Sequence, residues 1–326
     1  MKDDHSTCWM KGQMSRVDSS VIKLSEEQVM CLEQLVKAAL KSFLINNERL
    51  FLPEPAELSE LVSQCKHILN SESGLLILRQ IPLDRLTPRE RNFMMWSIGS
   101  WIGRPLPQNF NGDLLGRVEN AYEEGDDLRG YQPEKELPLH TDRGDVVCLL
   151  CVRPALQGGE SLFASVHSIH HYLLTHHPEV LSVLAKGFHM GLPLEKYSIS
   201  GCQVPVLAVE NGFMSAYYVR AFIDFAAEVM GWAFSTEELH ALACFEKACR
   251  HPEIRYQIKL QRGDLAIWNN HTWLHGRTAF SDFSGGNKSD HRLMLRLWLR
   301  SATDWPMPVS MWLHKCTDLG VVNRHR

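Results

Sequence analysis

The chain has 326 residues, 44% of them hydrophobic and 22% charged, with a formal net charge of −4. That balance gives no electrostatic reason to expect nucleic acid or an anionic membrane as partner. The longest strongly apolar run, Val146 to Val152, is far too short to span a bilayer.

The length suits one large domain with additions. A charged, polar start, Met1-Lys2-Asp3-Asp4-His5, without the apolar region of a secretion signal, points to the cytoplasm. Nine cysteines, an odd number in apolar surroundings, read as reduced small hydrophobes rather than a disulfide framework.

Taken in order, residues 1–20 are polar and expected to form a disordered tail. Ser25-Glu26-Glu27 opens a helix through about Asn47, in which Val29, Leu32, Leu35, Val36, Leu40 and Phe43 recur at helical spacing. Beyond Pro53 and Pro55 a second helix is expected from Ala56 to about Leu69. We read residues 21–72 as a helical N-terminal segment packed on a core domain of residues 73–326. Gly74 to Ile81 is the first convincing strand, and Pro88 starts a third helix that ends near Gly103.

From about Leu114 the pattern changes to short strands and turns. Leu137 to Asp142 and Asp145 to Arg153 are extended, and a Gly158-Gly159 turn leads into Ser161 to Ala164. His167 to Thr175 is helical. Val204 to Val209 reads as an edge strand because of Pro205, and Asn211-Gly212 signals a hairpin into Phe213 to Tyr218. Ser235-Thr236-Glu237-Glu238 is a capping-box start for a helix to about Arg250, within a helical insertion over about 219–251. Strands return at Tyr256 to Leu260, Leu265 to Trp268 and His291 to Leu299. Helices flanking many short strands point to an α+β fold, a helical layer against a β-sandwich or barrel. Cys148 and Cys151 form a CxxC, but residues three apart on a strand face opposite sides, so they read as core rather than as a zinc or redox pair.

Chemistry concentrates in three stretches. His140 and Asp142, two residues apart on an extended segment, point to the same side and can fill two of the three protein positions of a 2-His-1-carboxylate iron site. His275 is our third ligand and His271 its competitor; the segment carrying them lacks helix character and has no HExxH. Read with period two, His291 to Arg300 places Arg292, Met294, Arg296, Trp298 and Arg300 on one face and Leu293, Leu295, Leu297 and Leu299 on the other. The bland reading sends the arginines to solvent. If helices cover the leucines instead, Arg292 and Arg296 face the barrel interior, where a guanidinium needs an anionic partner and its planar fork suits a carboxylate.

Four motifs, Leu137-Pro138-Leu139-His140-Thr141-Asp142, Gly158-Gly159-Glu160-Ser161, Gly263-Asp264 through Trp268-Asn269-Asn270 to His275, and Arg292 with Arg296, come in a telling order. Together they resemble the Fe(II)/2-oxoglutarate dioxygenases of the taurine dioxygenase and 2,4-dichlorophenoxyacetate dioxygenase family, which includes the γ-butyrobetaine hydroxylase group. The likeness runs over roughly residues 73–300. It implies a double-stranded β-helix, that is, a jelly-roll or cupin-like barrel. It implies Fe(II) held by His140, Asp142 and His275, and 2-oxoglutarate gripped by Arg292 with Ser161 in the place of a family threonine. Arg296 matches an arginine used for an anionic group of the substrate.

The implied reaction consumes O2 and 2-oxoglutarate, releases succinate and CO2, and oxidises a small molecule, by default through hydroxylation. Desaturation or ring closure at the same site are alternatives, whereas an intact Asp142 argues against halogenation, since related halogenases lack that carboxylate. Two departures stand out. The interval from Asp142 to Gly158 is shorter than in taurine dioxygenase, and Glu160 replaces a common aspartate. The charged run Tyr122 to Tyr131 is a candidate lid, with Arg129 and Tyr131 as substrate-side candidates; Tyr217, Tyr218 and Arg220 are read as core first. Two other classes stay open, as does a homo-oligomer. One is a cupin-like metal-dependent isomerase or hydrolase that does not use 2-oxoglutarate, which gains if Arg292 faces away from the metal. The other is a non-catalytic binding barrel.

Overall fold

The structure, a computed structural model, describes residues 20–46, 52–71, 73–109, 112–119, 135–192, 198–282 and 291–315. Residues 1–19 of the expected tail and the lid, with Arg129 and Tyr131, lie outside the described residues, while Ser20 is buried.

Capping decides where the helices begin. Ser25 and Gln28 exchange side-chain to backbone hydrogen bonds of 2.9 and 3.2 Å at the head of α1 (Glu26–Asn46). Helix α2 (Ser59–Ser71) follows a short 3-10 turn, and α3 (Pro88–Ile102) starts from a Thr87–Glu90 capping box with Pro88 in its first turn. Later come α4 (Val166–His176), α5 (Arg220–Met230) and α6 (Thr236–Arg250), the last opened by the Ser235–Glu238 capping box its sequence announces. Among the described residues no helix is long and apolar enough to cross a membrane.

Eleven strands carry the two main sheets. They are β1 (Val21–Lys23), β2 (Leu75–Arg79), β3 (Arg104–Leu106), β4 (Leu115–Glu119), β5 (Leu137–His140) and β6 (Val146–Arg153). Then follow β7 (Ser161–Ser165), β8 (Arg255–Ile258), β9 (Leu265–Asn269), β10 (Trp273–Arg277) and β11 (Leu293–Arg300). The larger sheet runs β1-β2-β9-β6-β11-β3, with β4 also pairing β11. The smaller runs β8-β7-β10-β5 and is antiparallel throughout. Only β1 breaks the antiparallel pattern of the larger sheet, pairing parallel to β2. Strands β1, β3 and β4 are absent from the sequence reading because three to five residues give too short a pattern to register.

Alternation along the strands divides the apolar residues into layers. Leu293, Leu295, Leu297 and Leu299 of β11 join Leu76, Leu78, Cys148 and Ile267 in a core under α1, α2 and α3. Each such leucine contributes about 1.5–3 kcal/mol on full burial. The opposite face of that sheet, with Ile77, Val147, Cys151, Ala266, Trp268 and Met294, meets Phe163 and Trp273 of the smaller sheet. Leu139, Leu162, Ala164 and Leu274 point out of the smaller sheet into a third core with α4 and α6. Two sheets with helices on both outer faces give the α+β architecture, an arrangement consistent with a jelly-roll. Cys148 and Cys151 do face opposite ways, both fully buried.

The hairpin signalled by Asn211-Gly212 is present, Leu207–Glu210 against Phe213–Ala216, with φ of 51° and 79° at its two corner residues. It starts later than Val204 because that residue instead makes a lone bridge to Phe188.

One glycine sets how closely β5 and β10 approach. A Cβ on Gly276 would lie 2.6 Å from the Leu137 carbonyl oxygen, a backbone atom that cannot swing away. Gly276→Ala is therefore expected to lower stability by about 1–3 kcal/mol, as overpacking does; equilibrium urea unfolding of the metal-free protein measures it.

Candidate metal centre

Strand pairing builds the site. In the β5/β10 ladder His140 and His275 are direct cross-strand partners, so both imidazoles leave the smaller sheet on its inner face. Their ring centroids lie 4.3 Å apart. Two residues beyond His140, Asp142 brings Oδ2 within 3.3 Å of His275 Nε2, while its Oδ1 stands 3.9 Å from His140 Nε2. One donor atom from each residue falls within 4.8 Å of the others, the clustering a shared cation requires.

The donors are prepared for that role. His140 Nδ1 lies 2.9 Å from the Pro138 carbonyl oxygen, which as acceptor fixes the proton on Nδ1 and leaves the Nε2 lone pair toward the cluster. Burial, followed by the neighbouring His275, pushes the His140 pKa down to about 4, so the ring is neutral near pH 7. For Asp142, burial alone would raise the carboxyl. Arg296 and then His275 outweigh it and hold the group well below the usual carboxylate range.

Three residues with no role in the sequence reading orient that carboxylate and its loop. The Trp298 indole N–H donates to Asp142 Oδ2 at 2.8 Å. Asn270 accepts from the Asp142 backbone N–H at 3.0 Å and donates to the Asp142 and Gly144 carbonyls at 2.8 and 2.7 Å. Gln108 accepts from Arg296 Nε at 2.8 Å. Trp298 had a signal, since it shares the period-two face of Arg296, and Asn270 belongs to a quoted motif; Gln108 had none.

His271, the competitor, is fully buried and turned elsewhere, its Nε2 3.1 Å from Asp145 Oδ1. Tyr217 and Tyr218 are core residues; the Tyr218 hydroxyl donates to Glu246, as does Arg220.

Arg296 lies on the inward face of β11, and Arg292 immediately precedes the strand. Arg296 rests over the Trp298 ring, its guanidinium carbon 4.7 Å from the ring centroid, with Nη1 3.5 Å from Asp142 Oδ2. Arg292 is buried, and its Nε has no hydrogen-bond partner. Its guanidinium and that of buried Arg277 both lie over the Phe280 ring, at 5.2 and 4.5 Å. Burial, then Arg277, lowers the Arg292 pKa to about 10, which still leaves it charged near pH 7. Two buried cations with a donor to spare are suited to an incoming anion. A Cβ on Gly159 would lie 3.5 Å from Arg292 Nε, so the Gly158-Gly159 turn borders this arginine. Ser161, just past the turn, is buried on β7 opposite Arg277.

The depressed histidine has a consequence for acid stability. The unfolded chain binds the His140 proton near pH 6.5 and the folded, metal-free protein only near pH 4. Its contribution is thus complete above pH 6.5 and lost as pH falls toward 4, amounting to about 3 kcal/mol at full loss. Buried His167 acts in the same sense. Urea unfolding between pH 7 and 4 is expected to show this decline, with a shallower slope in His140→Gln.

Comparison with known proteins gives the family. The family described as taurine catabolism dioxygenase TauD, TfdA matches residues 36–298. FR-33289 synthase of Streptomyces rubellomurinus is 30% identical over 263 residues, 78% of this chain and 77% of that protein. The fold is shared with asparagine oxygenase in complex with Fe(II), 3-hydroxyasparagine and succinate, at a TM-score of 0.64 and 17% identity over 86% of this chain and 93% of the other. It is shared equally with the non-haem iron oxygenase OrfP in complex with Fe and α-ketoglutaric acid, at 0.64 and 16% over 86% and 94%. The chain belongs to the TauD/TfdA family and is a non-haem iron oxygenase that uses Fe(II), 2-oxoglutarate and O2 on a small-molecule substrate.

Proposed function

We propose that His140, Asp142 and His275 hold the iron, that Arg292 and Ser161 receive 2-oxoglutarate, and that Arg296 meets an anionic group on a substrate that is hydroxylated. The observation that carries the first assignment is the cross-strand register of His140 with His275, which sets two imidazoles beside an ionised carboxylate. Iron bound there supplies the oxidising chemistry, with 2-oxoglutarate and O2 as co-substrates.

The protein's own work is binding and orientation. Trp298 and Asn270 hold Asp142 so that its carboxylate faces the histidines. The support for Arg292 is its buried Nε without a partner, beside the second cation Arg277, in the polarity that suits a carboxylate. A buried Arg292 also weighs against the isomerase or hydrolase alternative. Arg296 borders the cluster with its side chain 16% exposed, within reach of a bound molecule. For a substrate, a carboxylate or sulfonate is the natural complement. The described cysteines are all free, six of the seven at least partly buried, which supports residence in a reducing compartment such as the cytoplasm.

Anaerobic Fe(II) with 2-oxoglutarate is expected to give the weak visible charge-transfer band of the chelate. The band should vanish in His275→Ala, while Arg292→Met should need about 30-fold or more 2-oxoglutarate to develop it. An undiminished band in His275→Ala removes the ligand assignment. Succinate release across amino acids, betaines and sulfonates identifies a substrate class. With a substrate in hand, Arg296→Met should raise its KM about tenfold or more; an unchanged KM rules out the anionic contact.

A further inference from the structure

A second cluster of metal-binding side chains lies in the helical layer behind the smaller sheet. Helix α6 presents His240 and Cys244 one turn apart on one face. His177, at the C-terminal end of α4, and Glu179, in the following turn Pro178–Val180, come down on that face. His240 Nε2 lies 3.3 Å from Glu179 Oε1, and His177 Nδ1 lies 3.6 Å from the same oxygen. Cys244 Sγ is 3.7 Å from His240 Nε2. Donor atoms of His177, His240 and Cys244 all fall within 4.8 Å of one another.

These spacings have a physical meaning. Nitrogen and oxygen donors sit about 2.0–2.2 Å from zinc and sulfur about 2.3 Å, so tetrahedral donors lie roughly 3.3–3.8 Å apart. The three measured separations all fall within that range, although no ion was needed to impose them. The cluster gathers two imidazoles and a carboxylate next to a thiol that is 5% exposed.

We propose that His177, His240, Cys244 and Glu179 form a second metal site, selective for a zinc-like divalent ion, which fastens the α4 end to α6. The donor set of two imidazoles, one thiolate and one carboxylate is that of a closed, tetrahedral, structural site, softer than the oxygen-rich sites of magnesium or calcium. It shares no residue with the iron centre. The exposed His240 ring turns to aim Nε2 at the ion, and the Cys244 thiol gives up its proton to solvent as the sulfur–metal bond forms. Because that proton is released, binding strengthens with rising pH.

The spectroscopy of cobalt(II) isolates the site. With the iron centre first filled anaerobically by Fe(II) and 2-oxoglutarate, Co(II) is titrated in. The expected result is one equivalent of tetrahedral cobalt with a sulfur-to-cobalt charge-transfer band in the near ultraviolet. The His140, Asp142 and His275 centre contains no sulfur and cannot produce that band, so this outcome is independent of the iron assignment. Zn(II) should bleach the band and raise Tm. Cys244→Ser should abolish the band, and His240→Ala, an exposed substitution that spares the core, should weaken cobalt binding at least tenfold, both with succinate-forming activity retained. No sulfur-to-cobalt band in the wild-type protein, or a band unchanged in Cys244→Ser and His240→Ala, overturns the proposal.

Discussion

The register between Leu137–His140 and Trp273–Arg277 is the constraint on which the site rests. Side chains alternate across a sheet, so a slip of one residue would send His275 into the outer apolar core and bring Leu274 in beside His140. Several features hold the register. Leu139 and Leu274 are committed to the outer core, which leaves His140 and His275 no face but the inner one. Gly276 lets the two backbones close up where the ladder shifts between His275 and Arg277. Beyond the strand end, Thr141 exchanges hydrogen bonds with Tyr218 at 2.9 and 3.0 Å, and Asn270 grips both sides of Asp142. Two segments more than a hundred residues apart in sequence are thereby locked at one point.

Electrostatics then settles protonation without help from a cation. A buried carboxylate beside two imidazoles could draw a proton onto one of them. Here Arg296 supplies the compensating positive charge and Trp298 a neutral donor, so Asp142 stays ionised and His140 stays neutral. An ionised carboxylate and a neutral imidazole are the forms in which these two groups bind a divalent ion. The buried His271–Asp145 pair plays a different part nearby. Asp145 accepts from the Ser301 backbone N–H at 3.0 Å and so ties the β10 approach to the end of β11.

Much of this was legible in the sequence, and the reasons for the gaps are physical. The His140/Asp142 pair, the capping-box helices and the Asn211-Gly212 hairpin each rest on local chemistry at fixed offsets, which survives without knowledge of tertiary pairing. The inward direction of Arg296 was decidable only once helices were assigned to the leucine face of the same strand. By contrast, nothing in Gln108 or Asn270 reveals a partner, because each acts across more than a hundred residues of chain. The competition between His271 and His275 was likewise undecidable by spacing. His271 sits in the turn Asn270–Thr272 and His275 on β10, and only the pairing of β10 shows which one meets His140.

Arg292, just before β11, and Arg296 on it illustrate how one segment can keep two charges distinct. Residues four apart along an extended segment are separated by about 13 Å, and Arg292 and Arg296 have different surroundings. Arg296 stands at the Asp142 end, where it offsets the charge of the carboxylate. Arg292 stands at the Gly159 end, beside Arg277, where no described carboxylate meets its Nε. A small dicarboxylate reaching from the histidines toward Arg292 would therefore meet its cation at the far end and leave Arg296 to the substrate side. The leucines between the arginines make this separation dependable. Pressed under α3, they deny β11 any other face and so fix both guanidinium positions at once.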